Sequence, residues 1–127
     1  MPVSAAGDGA GRAWLSLHVL DVTVGLPAAG VAVTLRRLDA DGGGEQLASV
    51  TTNADGRTDA PLLEGDALAP GTYELAFALG DHFAASTGSG DRYLDVVPVR
   101  FGIGTDPGHV HVALLATPWS YTTYRGS

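Results

Sequence analysis

Four residues of types that do proton and anion chemistry stand out. They are His18 in LSLHVLD, Arg57 in ADGR, and His109 with His111 in HVHVALL. An imidazole titrates near neutral pH, so it can take a proton from water and return it. A guanidinium offers a planar fork of donors to a carbonyl-rich or anionic partner and keeps its charge. His109 and His111 stand two apart, so on a strand they share a face with Ala113 and Leu115, while Val110, Val112 and Leu114 take the other. Two imidazoles on one strand face also suit a metal ion, with His18, Asp21 or Asp106 as a third ligand, although none of these has a diagnostic spacing. Taken singly, a histidine at such a position is more often half-exposed and without a role, and an arginine after a turn is ordinarily solvated.

The elements that must position these residues read as β throughout. WLSLHVLD alternates, with Leu15, Leu17 and Val19 on one face and Trp14, Ser16, His18 and Leu20 on the other. GVAVTLRRLD places Val31, Val33 and Leu35 on one face, DADGGGEQ reads as a loop, and LASVTTN reads as a strand. ADGR carries an Asp-Gly turn. GTYELAFALG sets Tyr73, Leu75, Phe77 and Leu79 on one face. DHFAAST is the one short helix expected, opened by Asp81 as N-cap and broken by GSGD. RYLDVVPVRFGI reads as a strand that Pro98 assigns to an edge or a bulge, and GHVHVALLAT and WSYTTYRGS close the chain. Seven or eight strands at this spacing point to a β-sandwich in one domain.

Composition excludes several functions. The 127 residues contain no Cys, which rules out thiolate nucleophiles, disulfides and Cys-zinc sites and makes the cytoplasm the expected compartment. They contain no Lys, which rules out a Schiff base, and seven Arg against a net charge of -7 give no basic face for nucleic acid. No apolar run is long enough for a transmembrane helix, and the start, MPVSAAGDGAGRAW, does not read as a secretory signal. Residues 1–13 are expected to be a flexible extension, and 14–127 the folded domain. No nucleophile elbow or phosphate loop is present.

Several stretches in order, LSLHVLD, GLPAAGVAVTL, TTNADGRTDAPLL, GTYELAFALGDHF, VPVRFGI, HVHVALL and the terminal PWSYTTYRGS, strongly resemble the 5-hydroxyisourate hydrolases, the enzymatic branch of the transthyretin family. The resemblance runs from about residue 14 to the last. Its most specific element is Tyr124-Arg125-Gly126-Ser127, which looks like the mark that separates the hydrolases from the hormone-carrying transthyretins. It implies an all-β, transthyretin-like sandwich of two sheets and eight strands with one short helix. It also implies a homotetramer, a dimer of dimers with active sites along a channel. HVHVALL has Val110 and Ala113 where the family usually has Tyr and Pro, and Thr122 stands where Ser is common.

The resemblance carries the family's catalytic residues onto His18, Arg57, His111 and Ser127, and substrate binding onto His18, Arg57, Tyr124, Arg125 and Gly126. The reaction implied is hydrolysis of 5-hydroxyisourate to 2-oxo-4-hydroxy-4-carboxy-5-ureidoimidazoline, with neither metal nor cofactor. One imidazole, His18 by preference, would take the proton from water. His111 would orient the water or protonate the leaving nitrogen, and Arg57 would bind the ring and the developing oxyanion. His109 would be a neighbour of the site, and the chain end would be part of it. The competing readings are a non-catalytic small-ligand carrier, a metal hydrolase built on His109 and His111, and a structural sandwich without a ligand.

Overall fold

The computed structural model describes residues 12–127. Their strands are β1 (Trp14–Asp21), β2 (Leu26–Pro27), β3 (Ala32–Leu38), β4 (Gly44–Thr51), β5 (Leu63–Glu64), β6 (Gly71–Ala78), β7 (Val96–Ile103), β8 (His109–Ala116) and β9 (Tyr121–Gly126). A 3-10 turn, Gly65–Ala67, follows β5, and one α-helix, α1 (Leu79–Thr87), follows β6. One sheet runs β9-β8-β1-β2 with β5 added on β1, and the other runs β4-β3-β6-β7. The expected two-sheet sandwich with a single α-helix is what forms. Nine strands form in place of eight, seven of them of six to eight residues; β2 and β5 are two-residue pairings on β1, too short for any alternation to reveal.

The core lies between the sheets. Leu15, Leu17 and Val19 of β1 and Val110, Val112 and Leu114 of β8 meet Val33, Leu35, Tyr73, Leu75 and Phe77 from the second sheet. Burying each large side chain contributes roughly 1.5–3 kcal/mol, against about 1 kcal/mol for a typical hydrogen bond, so this alternation decides which face turns inward. The faces thereby turned outward on β1 and β8 carry the histidines.

Three boundaries depart from expectation. Ala78, not Asp81, is the N-cap of α1, and Asp81 lies in the first turn, where its carboxylate takes a hydrogen bond from Arg92 and faces the positive end of the helix dipole. Leu79, expected on the β6 face, opens the helix and stays buried. The 92–103 strand begins only at Val96, and β4 begins at Gly44, inside the expected loop. There a Cβ would stand 2.2 Å from the Arg37 carbonyl oxygen, so glycine lets the two strands close up. Pro98 is on β7, an edge strand as expected. Helix α1 ends at Gly88, whose positive φ of 74° suits a left-handed cap.

Of the expected 1–13 extension, residues 1–11 lie outside the described residues. Arg12 pairs with Glu64, and the Ala13 carbonyl accepts the Gly65 N–H. Among the described residues no helix is long and apolar enough to cross a membrane.

Candidate active site

The outward face of the β9-β8-β1 sheet is built in rows. β1 and β8 are parallel neighbours with Ser16 beside His111 and His18 beside Ala113. Antiparallel β9 continues the rows, with Gly126 beside His111, Tyr124 beside Ala113 and Thr122 beside Leu115. One lateral row is therefore Ser16-His111-Gly126, and the next is His18-Ala113-Tyr124. The His18 and His111 rings lie 6.5 Å apart between centroids.

Arg57 arrives from a loop. Thr52 is buried at its start, where its hydroxyl donates to the Ala28 carbonyl and accepts the Val31 N–H. Asn53 closes the turn by accepting the N–H groups of Asp55 and Arg57 on its side-chain oxygen. Gly56 docks the loop on β1 by accepting the Val19 N–H. Only glycine fits there, because φ is 72° and a Cβ would lie 2.3 Å from the Val19 carbonyl oxygen. The loop thus sets Arg57 beside the histidine face.

A cleft of about 360 Å³ opens between this loop and the sheet, lined among others by Trp14, Ser16, Arg57, His109, His111 and Ser127. A larger hollow of about 470 Å³ near Gly65–Pro70 and Gly104–Pro107 holds no imidazole. His18 lies beside the cleft, next to His111. Tyr124 stands on the same face, exposed, and is not one of the cleft's walls.

Arg125 is placed otherwise. Strand alternation turns it away from Tyr124, and its guanidinium donates to the backbone carbonyls of Pro107 and His109 at 3.1 and 3.4 Å. It therefore fastens the end of β9 to the start of β8. Asp21 also leaves the site, since it is buried on the opposite face and accepts a hydrogen bond from His82 at 3.0 Å. Among the described residues no three His, Asp or Glu are grouped to hold a metal ion.

Two participants were not legible as such. Ser16 Oγ lies 2.7 Å from Nε2 of His109 and 2.7 Å from Nδ1 of His111. Trp14 lies flat against His109, with ring centroids 3.5 Å apart and planes within 2°. Ser16 and Trp14 share the outward face in the alternation, but only the parallel register with β8 brings them onto the histidines.

The three imidazoles are held below their ordinary pKa of 6.5. For His18 the causes are burial and then Arg57, partly opposed by a hydrogen bond to the Asp55 backbone and by the Asp55 charge. For His111 they are burial, Arg57 and His18. For His109 they are burial, His111 and Arg125. Neutral, proton-accepting rings beside a fixed guanidinium can activate water against a polarised carbonyl.

Residues 15–126 match the HIUase/Transthyretin family. The chain belongs to that family. A 5-hydroxyisourate hydrolase of Deinococcus radiodurans is 50% identical to this HIUase/Transthyretin chain over 118 residues, covering 92% of it and 98% of the relative. The solved structure of the Klebsiella pneumoniae 5-hydroxyisourate hydrolase is 37% identical, with a TM-score of 0.71 over 91% of this chain and 99% of the other. An (S)-allantoin synthase structure is 41% identical with a TM-score of 0.83, and this family member, matched over 91% of its length, spans 44% of that longer chain.

Gly126 is fixed by the same geometry. A Cβ on it would fall 2.5 Å from Cδ2 of His111. Gly126→Ala must therefore push the His111 ring off its place above the strand. Because an ångström of misplacement can cost about 100-fold in rate, turnover should fall by that order while the thermal unfolding midpoint stays near wild type. An unaltered rate would show that the seat of His111 on Gly126 has no bearing on function.

Proposed function

We propose that this protein hydrolyses 5-hydroxyisourate to 2-oxo-4-hydroxy-4-carboxy-5-ureidoimidazoline without metal or cofactor. The observation that carries the reading is the convergence of two depressed imidazoles, His18 and His111, with Arg57 on one sheet face. Full-length similarity to 5-hydroxyisourate hydrolases supports the choice of substrate. Water donates its proton to His18 as its oxygen attacks the ring carbonyl. Arg57 stabilises the oxyanion, the C–N bond opens, and the leaving nitrogen takes up the proton. Ser127 borders the reacting groups, while Tyr124 and Gly126 complete the substrate's surroundings; Arg125 holds the strand end that carries them.

The reading includes a homotetramer built as a dimer of dimers, with no nucleic-acid or membrane partner. Exposed Val22, Val24, Leu26, Trp119, Tyr121 and Tyr124 support it, because apolar side chains gathered at a surface favour burial against another copy.

The direct test mixes urate, urate oxidase and this protein and follows the ultraviolet signal of 5-hydroxyisourate. Accelerated decay that survives a chelator is expected. Decay at the spontaneous rate removes the hydrolase reading, and loss of activity on chelation removes its metal independence. The same assay gives a pH prediction. A base whose pKa lies below 6.5 stays neutral into mild acid, so the acid limb of kcat/KM should lie below pH 6.5. Arg57→Gln removes a positive charge that opposes protonation, so the limb should move upward. A limb at or above 6.5 in the wild type would contradict this assignment.

A further inference from the structure

The Ser16 hydroxyl touches two imidazoles at once, Nε2 of His109 and Nδ1 of His111, each at 2.7 Å. A hydroxyl has one proton to give and lone pairs to receive. It cannot donate to both rings, so at least one ring must donate into it. The tautomers of the two histidines are thereby coupled through a single oxygen.

The surroundings are rigid. Trp14 covers the plane of His109, and Arg125 holds the His109 carbonyl. Gly126 leaves room for His111 and for nothing larger at its own position. With Nδ1 engaged by Ser16, the chemistry open to His111 is at Nε2.

We propose that Ser16 is a positioning residue for His111. Its oxygen accepts the Nδ1 proton of His111, its own proton goes to Nε2 of His109, and Nε2 of His111 is left as a bare lone pair. The effect on turnover rests on the hydrolase reading above; the tautomer does not. The reverse arrangement would turn the one N–H of His111, then on Nε2, toward Arg57, which has only donors to offer. Arg57 and His18 both work against an added proton on His111, so the ring stays neutral and the choice lies between its two tautomers. His18, also held below its ordinary pKa, is a neutral imidazole with one nitrogen free of a proton. Each ring of the pair then keeps one unprotonated nitrogen. Two acceptors can share the two hydrogens of one water, and the ring that does not take the proton fixes the direction of attack. The alternative roles for His111 are thereby reduced to orienting the water.

Long-range nitrogen–proton correlation spectra of the substrate-free protein, recorded above the imidazole titration range, test the tautomer. His111 should carry its proton on Nδ1 in the wild type. In Ser16→Ala it should revert to the Nε2–H form that free histidine favours, and in Ser16→Thr, which keeps a hydroxyl, it should remain Nδ1–H. In the hydrolysis assay Ser16→Ala should lower kcat by about 10- to 100-fold, the range known for removing the hydrogen-bond partner that orients a metal-bound histidine, taken here for an imidazole oriented in the same way. KM should change less, and Ser16→Thr should recover most of the loss. A wild-type His111 protonated on Nε2, or a Ser16→Ala spectrum with an unchanged His111, overturns the proposal. Should the Ala variant fail to fold, the wild-type and Thr spectra decide. Should the protein not hydrolyse 5-hydroxyisourate at all, the spectra still judge Ser16 separately.

Discussion

His18→Ala is expected to lower turnover of freshly generated 5-hydroxyisourate by roughly 10²–10⁴-fold, the contribution of a positioned general base, without unfolding the protein. His18 is flanked on β1 by Leu17 and Val19, both fully buried, so the strand is fixed by its neighbours and not by the imidazole. Eight residues of β1 lie in parallel register with β8, and that pairing needs no side chain at position 18. Removing the ring therefore takes away a proton acceptor and little of the core. Steady-state rates with an unfolding scan on the same sample check this. A His18→Ala protein that turns over at nearly the wild-type rate transfers the role of base to His111, and the preference stated above is then wrong.

The second large effect concerns the end of β9. Deleting Arg125–Ser127 should cost at least about 100-fold in turnover, because several contacts that set geometry go together. Arg125 loses its grip on the Pro107 and His109 carbonyls, Gly126 is withdrawn from beneath His111, and Ser127 leaves the cleft. Stability should suffer far less, since β9 is an edge strand whose residues are mostly exposed. Residues added after Ser127 must leave through the cleft beside Arg57, and they should inhibit as well. A fully active protein with such an extension would show that Ser127 and its surroundings take no part in the reaction.

Much of this arrangement was legible in particular residues. The alternation Leu15, Leu17, Val19 against Ser16, His18, Leu20 told which side of β1 faces out, because burying three large apolar groups outweighs local preferences. The same arithmetic put His111 on one face with Ala113 and Leu115, and the register adds Tyr124 beside Ala113 and Thr122 beside Leu115. It also separates Arg125 from Tyr124, a consequence the motif Tyr-Arg-Gly-Ser hides when its four residues are read as one block. The Ser16 bridge could not be read this way. It joins residues 93 and 95 positions apart, and nothing local states that β1 and β8 run parallel with Ser16 level with His111. The start of α1 was misplaced because Asp81 is a good cap by type, yet β6 delivers the chain into the helix already at Leu79.

The flat stack of Trp14 on His109 also gives the protein an internal optical gauge. An imidazolium in contact with an indole draws an electron from its excited state and quenches its emission, whereas the neutral ring does so weakly. The sequence has two tryptophans, and among the described residues an imidazole stacks on Trp14 and none on Trp119, so the part of the emission that follows His109 belongs to Trp14. Because His109 is held below its ordinary pKa of 6.5, that emission should stay bright from alkaline pH into mild acid and dim only below 6.5. The proton state beside the proposed catalytic pair can then be followed in a cuvette, with no substrate present and no label attached.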